Sequence, residues 1–323
     1  MIPMQLSIII PVHNRADLLA EAIDSIIAQG LDSYEIIICD DGSIENIEAA
    51  CDTFKLPKEQ LVLSRSEESH GAQVARNRGL SLAQGEFIMF MDSDDAVAEN
   101  GLAPLLEALQ ADADLEYAYG KVSRVNETLG PIADDVPVGA FFPDTPSEIA
   151  GYHWHTMGAI YRKSYLEIVG PWNLEMTGSQ DWEYQARVKL AGGKRKFVDS
   201  TVGYWRQHGG DRVGAAKFRP DYVKSVMIGC DSILHAARDR GRCDSGLERR
   251  LAKRLVVHAL EWGANGFRQD RKKCFLQAKS GLNSGLLFKA TLCLAVMMGP
   301  LTPAFLDQWM MRKITGRSQA PID

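Results

Sequence analysis

The sequence predicts an α/β fold: a mostly parallel central sheet flanked by helices. Three observations carry the prediction. Short apolar runs of strand length, LSIII, EIIIC and FIMF, recur along the first hundred residues. Segments with apolar residues at helical spacing lie between them. Each run ends in polar residues: Pro11-Val12-His13-Asn14, Asp40-Asp41-Gly42-Ser43 and Asp92-Ser93-Asp94-Asp95. Parallel strands need crossover helices, and ligands bind beyond their carboxyl ends.

In chain order, Gln5–Pro11 is a β-branched run that stops at a proline. From Asp17 to Gln29, Leu19, Ala22, Ile23, Ile26 and Ile27 fall on one helical face. Glu35–Cys39 is a second buried strand and Leu61–Leu63 a third. Ala72–Ala83 follows as a helix with Gly85 as its stop, and Glu86–Met91 is the next strand. No internal repeat is evident.

The chain of 323 residues is long enough for one large α/β domain with an appendage. Its opening, MIPMQLSIIIPV, lacks a basic start, a long apolar stretch and a small-residue cleavage site, so an exported protein is not expected. Six scattered cysteines without a C-x-x-C pair point to a reducing compartment and away from a disulfide frame or a zinc site. The net charge of −6 conceals an asymmetry: residues 216–323 carry 19 Lys and Arg against 9 Asp and Glu, and the remainder is strongly acidic. That places a boundary near residue 215, giving a domain over 1–215 and a basic, helical tail over 216–323. An acidic body argues against nucleic acid as a partner. The glycine fingerprints of dinucleotide and P-loop enzymes are absent after the first strand.

Three polar strand ends on one sheet edge make a site, and the carboxylates of DSDD need an explanation. Like charges repel at close range, so a cation or a ligand must offset them, or they must face solvent.

In order and spacing, PVHN, DDGS, GAQVARNRG, EFIMFMDSDD, GPWN, SQDWEYQARVKLAGG and YWRQH resemble the inverting glycosyltransferases of family 2 over roughly residues 5–210. The resemblance implies the GT-A fold, a Rossmann-like architecture that binds nucleotide-diphospho-sugars. It further implies that Asp94 holds Mg²⁺ or Mn²⁺ bridging the donor's phosphates, with Asp92 near the ribose or the metal's water shell. Hard divalent cations take carboxylate oxygens together with substrate phosphates, which fits this role. The alternative is that Asp94 or Asp95 caps a helix beginning near Ala96.

By the same resemblance Asp41 bonds the nucleotide base, Asp40 supports its loop, and Pro11 and Asn14 shape the facing wall. Their alternatives are an Asp-Gly turn, a strand stop and a helix N-cap. Arg76 faces the donor diphosphate, where a bidentate guanidinium suits phosphate, or is a surface helix arginine. Asp181 is the base that takes the acceptor hydroxyl's proton, or an acidic first-turn residue favoured by the helix dipole. The family often has Glu before this aspartate, where this chain has Gln180. Trp182 lines the acceptor side or packs beneath the sheet. Arg206 and His208 close over the diphosphate, His208 as a further metal ligand, with Gly209 and Gly210 giving the loop mobility.

The implied activity is transfer of a sugar, first of all from a UDP-sugar, to a hydroxyl of a cell-surface glycan or lipid-linked precursor. A catalytically silent scaffold that binds nucleotide-sugar is the alternative. In the tail, residues 286–306 are strongly apolar but interrupted by Lys289, Pro300 and Pro303, too short a clean run to span a bilayer. Beside basic clusters, such a stretch favours contact with the inner face of the cell membrane over packing in a helical bundle. The protein is therefore expected in the cytoplasm, at that face.

Overall fold

The computed structural model describes residues 5–54, 56–143, 145–207 and 220–264, with 273, 276 and 277. It divides into two compact units. The first comprises Met1–Phe142, Tyr152–Leu174 and Ala191–Gly210; the second comprises Pro143–Gly151, Glu175–Leu190 and Asp211–Asp323.

The first unit is built on an eight-stranded sheet. Its strands are β1 (Leu6–Val12), β2 (Tyr34–Asp41), β3 (Leu61–Ser66), β4 (Phe87–Phe90), β5 (Ala96–Val97), β6 (Leu115–Val125), β7 (Ala159–Arg162) and β8 (Lys194–Arg206). Their order is β3-β2-β1-β4-β7-β6-β8-β5. The β3, β2, β1 and β4 strands run parallel, β7 pairs antiparallel with β4 and β6, β6 and β8 are parallel, and β5 pairs antiparallel with β8.

The register Ile8↔Ile36 and Ile8↔Met89 aligns the central strands so that their carboxyl ends finish together. Leu6, Ile8, Ile10, Ile36, Ile38, Phe87 and Met89 are buried on one core with Leu19, Ile23 and Ile26 of α1 (Ala16–Ile27). Strands covered on both faces read as continuous apolar runs, which is why the sequence shows them so plainly.

On the opposite face α3 (Ala72–Leu82; α2 is Ile47–Cys51) lies close to the sheet at Gly79. A Cβ there would sit 2.4 Å from Ile9 Cγ2 and 2.8 Å from Cys39 Sγ. Only a hydrogen fits. The unit also contains α4 (Ala103–Ala111) and α6 (Lys163–Val169), with a 3₁₀ turn at Thr156–Gly158 leading into β7.

The second unit is helical: α5 (Pro146–Ile149), α7 (Gln180–Ala191), α8 (Pro220–Asp239) and α9 (Ser245–Ala264). Its core joins Ile149, Trp182, Ala186 and Leu190 to Val226, Cys230 and Ile233 of α8 and Leu247, Leu251 and Leu255 of α9. The alternation of basic and apolar residues near 249–258 thus lays one face of α9 on this core. No helix among the described residues is long and apolar enough to cross a membrane. The apolar stretch 286–306, on which membrane contact was expected, lies outside the described residues.

Candidate active site

At the carboxyl end of β4, the Met91 N–H still donates to the Ile9 carbonyl, and the chain then turns, closed by Asp95 N–H to Asp92 O at 3.3 Å. The turn sends its carboxylates to different partners. Asp92 accepts from Arg76 Nη2 at 2.6 Å, and Asp94 from Arg15 Nη1 at 2.6 Å. Asp95 is buried; its Oδ1 accepts the Arg206 backbone N–H at 3.1 Å, and its Oδ2 lies 3.8 Å from His155 Nδ1. Asp95 caps no helix. The two-residue strand β5 follows it, too short to show a period in the sequence, and α4 begins only at Ala103.

Arg76 is not a surface arginine: it is buried on α3, its guanidinium 4.6 Å from the Trp172 ring centroid. Desolvation pushes the Asp92 pKa up, but the Arg76 guanidinium, then His155 and Arg15, outweigh it and hold the carboxyl below its usual range. Arg206, at the end of β8, is 2% exposed. Its guanidinium donates to the Asp94 carbonyl at 2.8 Å, to Glu21 Oε2 at 2.6 Å and to the Glu127 carbonyl. It ties β8, α1 and the acidic turn together from beneath.

On the other side of β1 the first two loops are knitted to each other. The Asn14 N–H donates to Ser43 Oγ at 2.7 Å, and Asn14 Oδ1 accepts from the Ile44 N–H at 2.9 Å and the Glu45 N–H at 3.3 Å. His13 Nδ1 meets the Asp41 carbonyl at 2.8 Å. Asn14 is therefore no N-cap; Arg15 holds that position, and both have left-handed backbones. Glu45 supplies the cap instead, its Oε2 accepting the Ala16 N–H at 2.7 Å. Pro11 stays within β1, opposite Cys39. The strand runs one residue past it, because a proline near the strand end costs little pairing.

Asp40 is buried, accepting from the Ser43 N–H at 2.9 Å with Arg65 Nη1 at 3.5 Å. Asp41 accepts from Ser69 Oγ and from the His70 and Gly71 N–H groups, at 2.7 to 3.1 Å, anchoring the loop that opens α3. Gly42 between these loops has φ +74°, and a Cβ there would meet the Glu68 backbone at 2.6 Å.

Asp92, Asp95 and His155 each offer a ligand atom, all within 4.8 Å of one another. Two carboxylate oxygens and an imidazole nitrogen suit a divalent cation, which takes such donors at about 2.0–2.2 Å. Asp94, the metal ligand implied by the resemblance, has its carboxylate on Arg15 and stands outside this group. His155 has no motif around it in the sequence, and only the 3₁₀ turn leading into β7 brings it here. His208 lies outside the described residues.

Asp181 and Trp182 belong to the second unit. Asp181 is half-buried in the first turn of α7, its Oδ1 accepting the Trp182 N–H at 2.9 Å. Trp182 is a core residue at 1% exposure, its indole N–H donating to the Ala150 carbonyl at 2.7 Å. It packs inside the core of its unit.

Backbone N–H groups of Ala16, then Arg15, hold the Glu45 carboxyl below its usual pKa. A carboxyl lowered by folding stabilises above its unfolded value, about 4.3, and loses that contribution as pH falls through the folded value. Wild type is thus expected to unfold at higher urea than Glu45→Ala at pH 7, with the gap closing between about pH 5 and pH 3. A gap independent of pH would show that the charge has no part in the cap.

Residues 7–167 match the profile of Glycosyl transferase family 2. Glycosyltransferase GlyG of Streptococcus pneumoniae serotype 4 is 34% identical over 125 residues, 39% of this chain and 41% of GlyG. A poly(ribitol-phosphate) beta-glucosyltransferase of Bacillus spizizenii is 37% identical over 130 residues, 39% of this chain and 19% of that protein. The chain therefore matches less than half the length of these relatives. The structure of S. aureus TarS 1-349 in complex with UDP-GlcNAc superposes with a TM-score of 0.68 at 18% identity, covering 96% of this chain and 89% of that one. At that identity the likeness concerns the fold, which is GT-A: a mixed, mostly parallel sheet flanked by helices. With the strand ends, the acidic turn and the family profile all falling in one stretch, the chain belongs to glycosyltransferase family 2.

Proposed function

We propose that this glycosyltransferase moves a sugar from a nucleotide-diphospho-sugar, a UDP-sugar first of all, to a hydroxyl of a cell-surface glycan, with inversion at the anomeric carbon and with a divalent cation. The observation that carries the proposal is the convergence of Asp40, Asp41, Asp92, Asp94 and Arg76 at the carboxyl ends of parallel β1, β2 and β4. The UDP-GlcNAc of TarS and the polyol-phosphate substrate named for the Bacillus relative support the donor and acceptor classes.

In this reading Asp41 Oδ1, which receives one shared N–H from His70, accepts the imide N–H of the base. Asp40, Pro11 and Asn14 hold the loops around it. Arg76 fixes Asp92 toward the ribose, and Arg206 fixes the acidic turn from beneath. Asp181 removes the acceptor hydroxyl's proton as that oxygen attacks the anomeric carbon in line, and the diphosphate departs from the opposite face. When bound, the cation neutralises charge on the departing diphosphate.

Asp181→Asn is expected to abolish transfer while UDP binding stays within about twofold of wild type. The assay is UDP release from UDP-glucose and UDP-GlcNAc with poly(ribitol phosphate) and Mn²⁺. A matching loss of UDP affinity would make Asp181 a pocket residue instead. UDP binding with no release from any donor would leave the chain a silent nucleotide-sugar binder.

For the cation, the resemblance assigns Asp94 and His208, while the structure gathers Asp92, Asp95 and His155. Calorimetric Mn²⁺ binding separates the two. Loss in His155→Gln with binding kept in Asp94→Asn selects the gathered group, and the reverse selects Asp94. Turnover unaffected by chelation would overturn both.

The basic, apolar tail places the enzyme at the cytoplasmic face of the membrane in this reading. Removing residues 285–323 should then abolish co-sedimentation with anionic phosphatidylglycerol vesicles; unchanged sedimentation would refute it.

A further inference from the structure

Asp181 stands half-exposed between two buried neighbours, Gln180 and Trp182. Residues of α8 and α9 hold the segment that leads into it. Ser225 of α8, 1% exposed, accepts two successive backbone N–H groups on its hydroxyl, from Thr177 at 2.8 Å and Gly178 at 3.2 Å. The same oxygen lies 3.0 Å from Thr177 Oγ1.

One turn earlier on α8, Tyr222 shares a hydrogen bond with Ser179 Oγ at 2.8 Å. Its ring lies so close to Gly178 that a Cβ there would come within 2.4 Å of Tyr222 Cδ2. Ser179 itself has φ +50°, a left-handed backbone that a side chain adopts only where its surroundings enforce it. From α9, the Arg254 guanidinium lies 3.8 Å from the Trp182 ring centroid, with Nη2 3.4 Å from Ser179 Oγ. Gly229 of α8 approaches the same ring, where a Cβ would be 2.8 Å from Trp182 Cζ3.

We propose that Ser225 and Tyr222, with Arg254, are positioning residues for Asp181, so that the C-terminal helices are part of the catalytic apparatus. The proposal rests on the assignment of Asp181 as the base. None of the three touches the reacting atoms. They fix the strained Thr177–Ser179 turn, and the turn sets where the first residues of α7 project. A base displaced by about 1 Å loses on the order of a hundredfold in rate, whereas binding of a donor held by other groups is untouched.

The test uses the full chain and a donor–acceptor pair that the wild type turns over. Ser225→Ala should lower kcat by about tenfold or more at unchanged donor KM and unchanged UDP affinity, with Ser225→Thr restoring most of it. Tyr222→Phe, which removes only the hydroxyl bonded to Ser179, should lower kcat in the same selective way; it decides the matter if Ser225→Ala does not fold.

Folded Ser225→Ala and Tyr222→Phe variants with kcat within twofold of wild type would overturn the proposal, as would donor KM rising in step with the loss. Full activity in Asp181→Asn alone would instead overturn the base assignment. An inactive Asp181→Asn beside wild-type Ser225→Ala would leave the base standing and remove its support from α8.

Discussion

Five carboxylates, Asp40, Asp41, Asp92, Asp94 and Asp95, meet at one edge of the sheet, and much of the first unit is arranged around supplying their partners. Two like charges 4 Å apart repel by about 4 kcal/mol at an effective dielectric of 20, so such a cluster needs its counter-charges built in. Arg65, Arg76 and Arg15 each pair with one member, and the Arg206 backbone N–H holds another. These partners come from β3, α3, the β1–α1 loop and β8. The acidic edge therefore binds together elements that are far apart in the chain, and each ion pair also fixes a loop. Arg15 shows the exchange most clearly: it keeps a left-handed backbone, at a cost of about 1–2 kcal/mol, while its side chain reaches Asp94 at 2.6 Å.

The same edge explains how far the sequence could be read. β1, β2, β4, α1 and α3 are legible because a doubly covered parallel strand is an unbroken apolar run, and the helices between keep a regular face. Their boundaries fall within a residue or two of the structure. The far half of the sheet left no such trace. β6 and β8 carry Glu116, Lys121, Arg124, Lys194, Arg195 and Lys196 along partly exposed faces, and their pairing shifts register. β5 has two residues and no pattern at all.

Among the site residues, what the sequence exposed were the strand-end aspartates, since a carboxylate cluster after an apolar run is a visible conflict. What it hid were their partners. Arg15, Glu21, Glu45 and His155 sit in stretches that read as ordinary surface, and only the tertiary fold brings them to the edge. Arg206 was visible through its R-x-H spacing, yet the spacing does not tell a guanidinium aimed at a ligand from one bonded to Glu21 and two carbonyls.

The helical unit is assembled from three separated stretches, and that has a consequence for how the chain is made. Ile149, Trp182 and Leu190 share their core with Val226, Ile233, Leu251 and Leu255. A helix of twelve residues such as α7 is marginal by itself in water. As the chain leaves the ribosome, the parallel strands of the first unit can pair once they have emerged, but α7 must wait for α8 and α9 before its apolar side is covered. Completion of the aspartate-bearing helix thus waits until α8 and α9 have emerged. A chain interrupted before α8 leaves uncovered the Trp182 indole, which the complete helical core holds at 1% exposure.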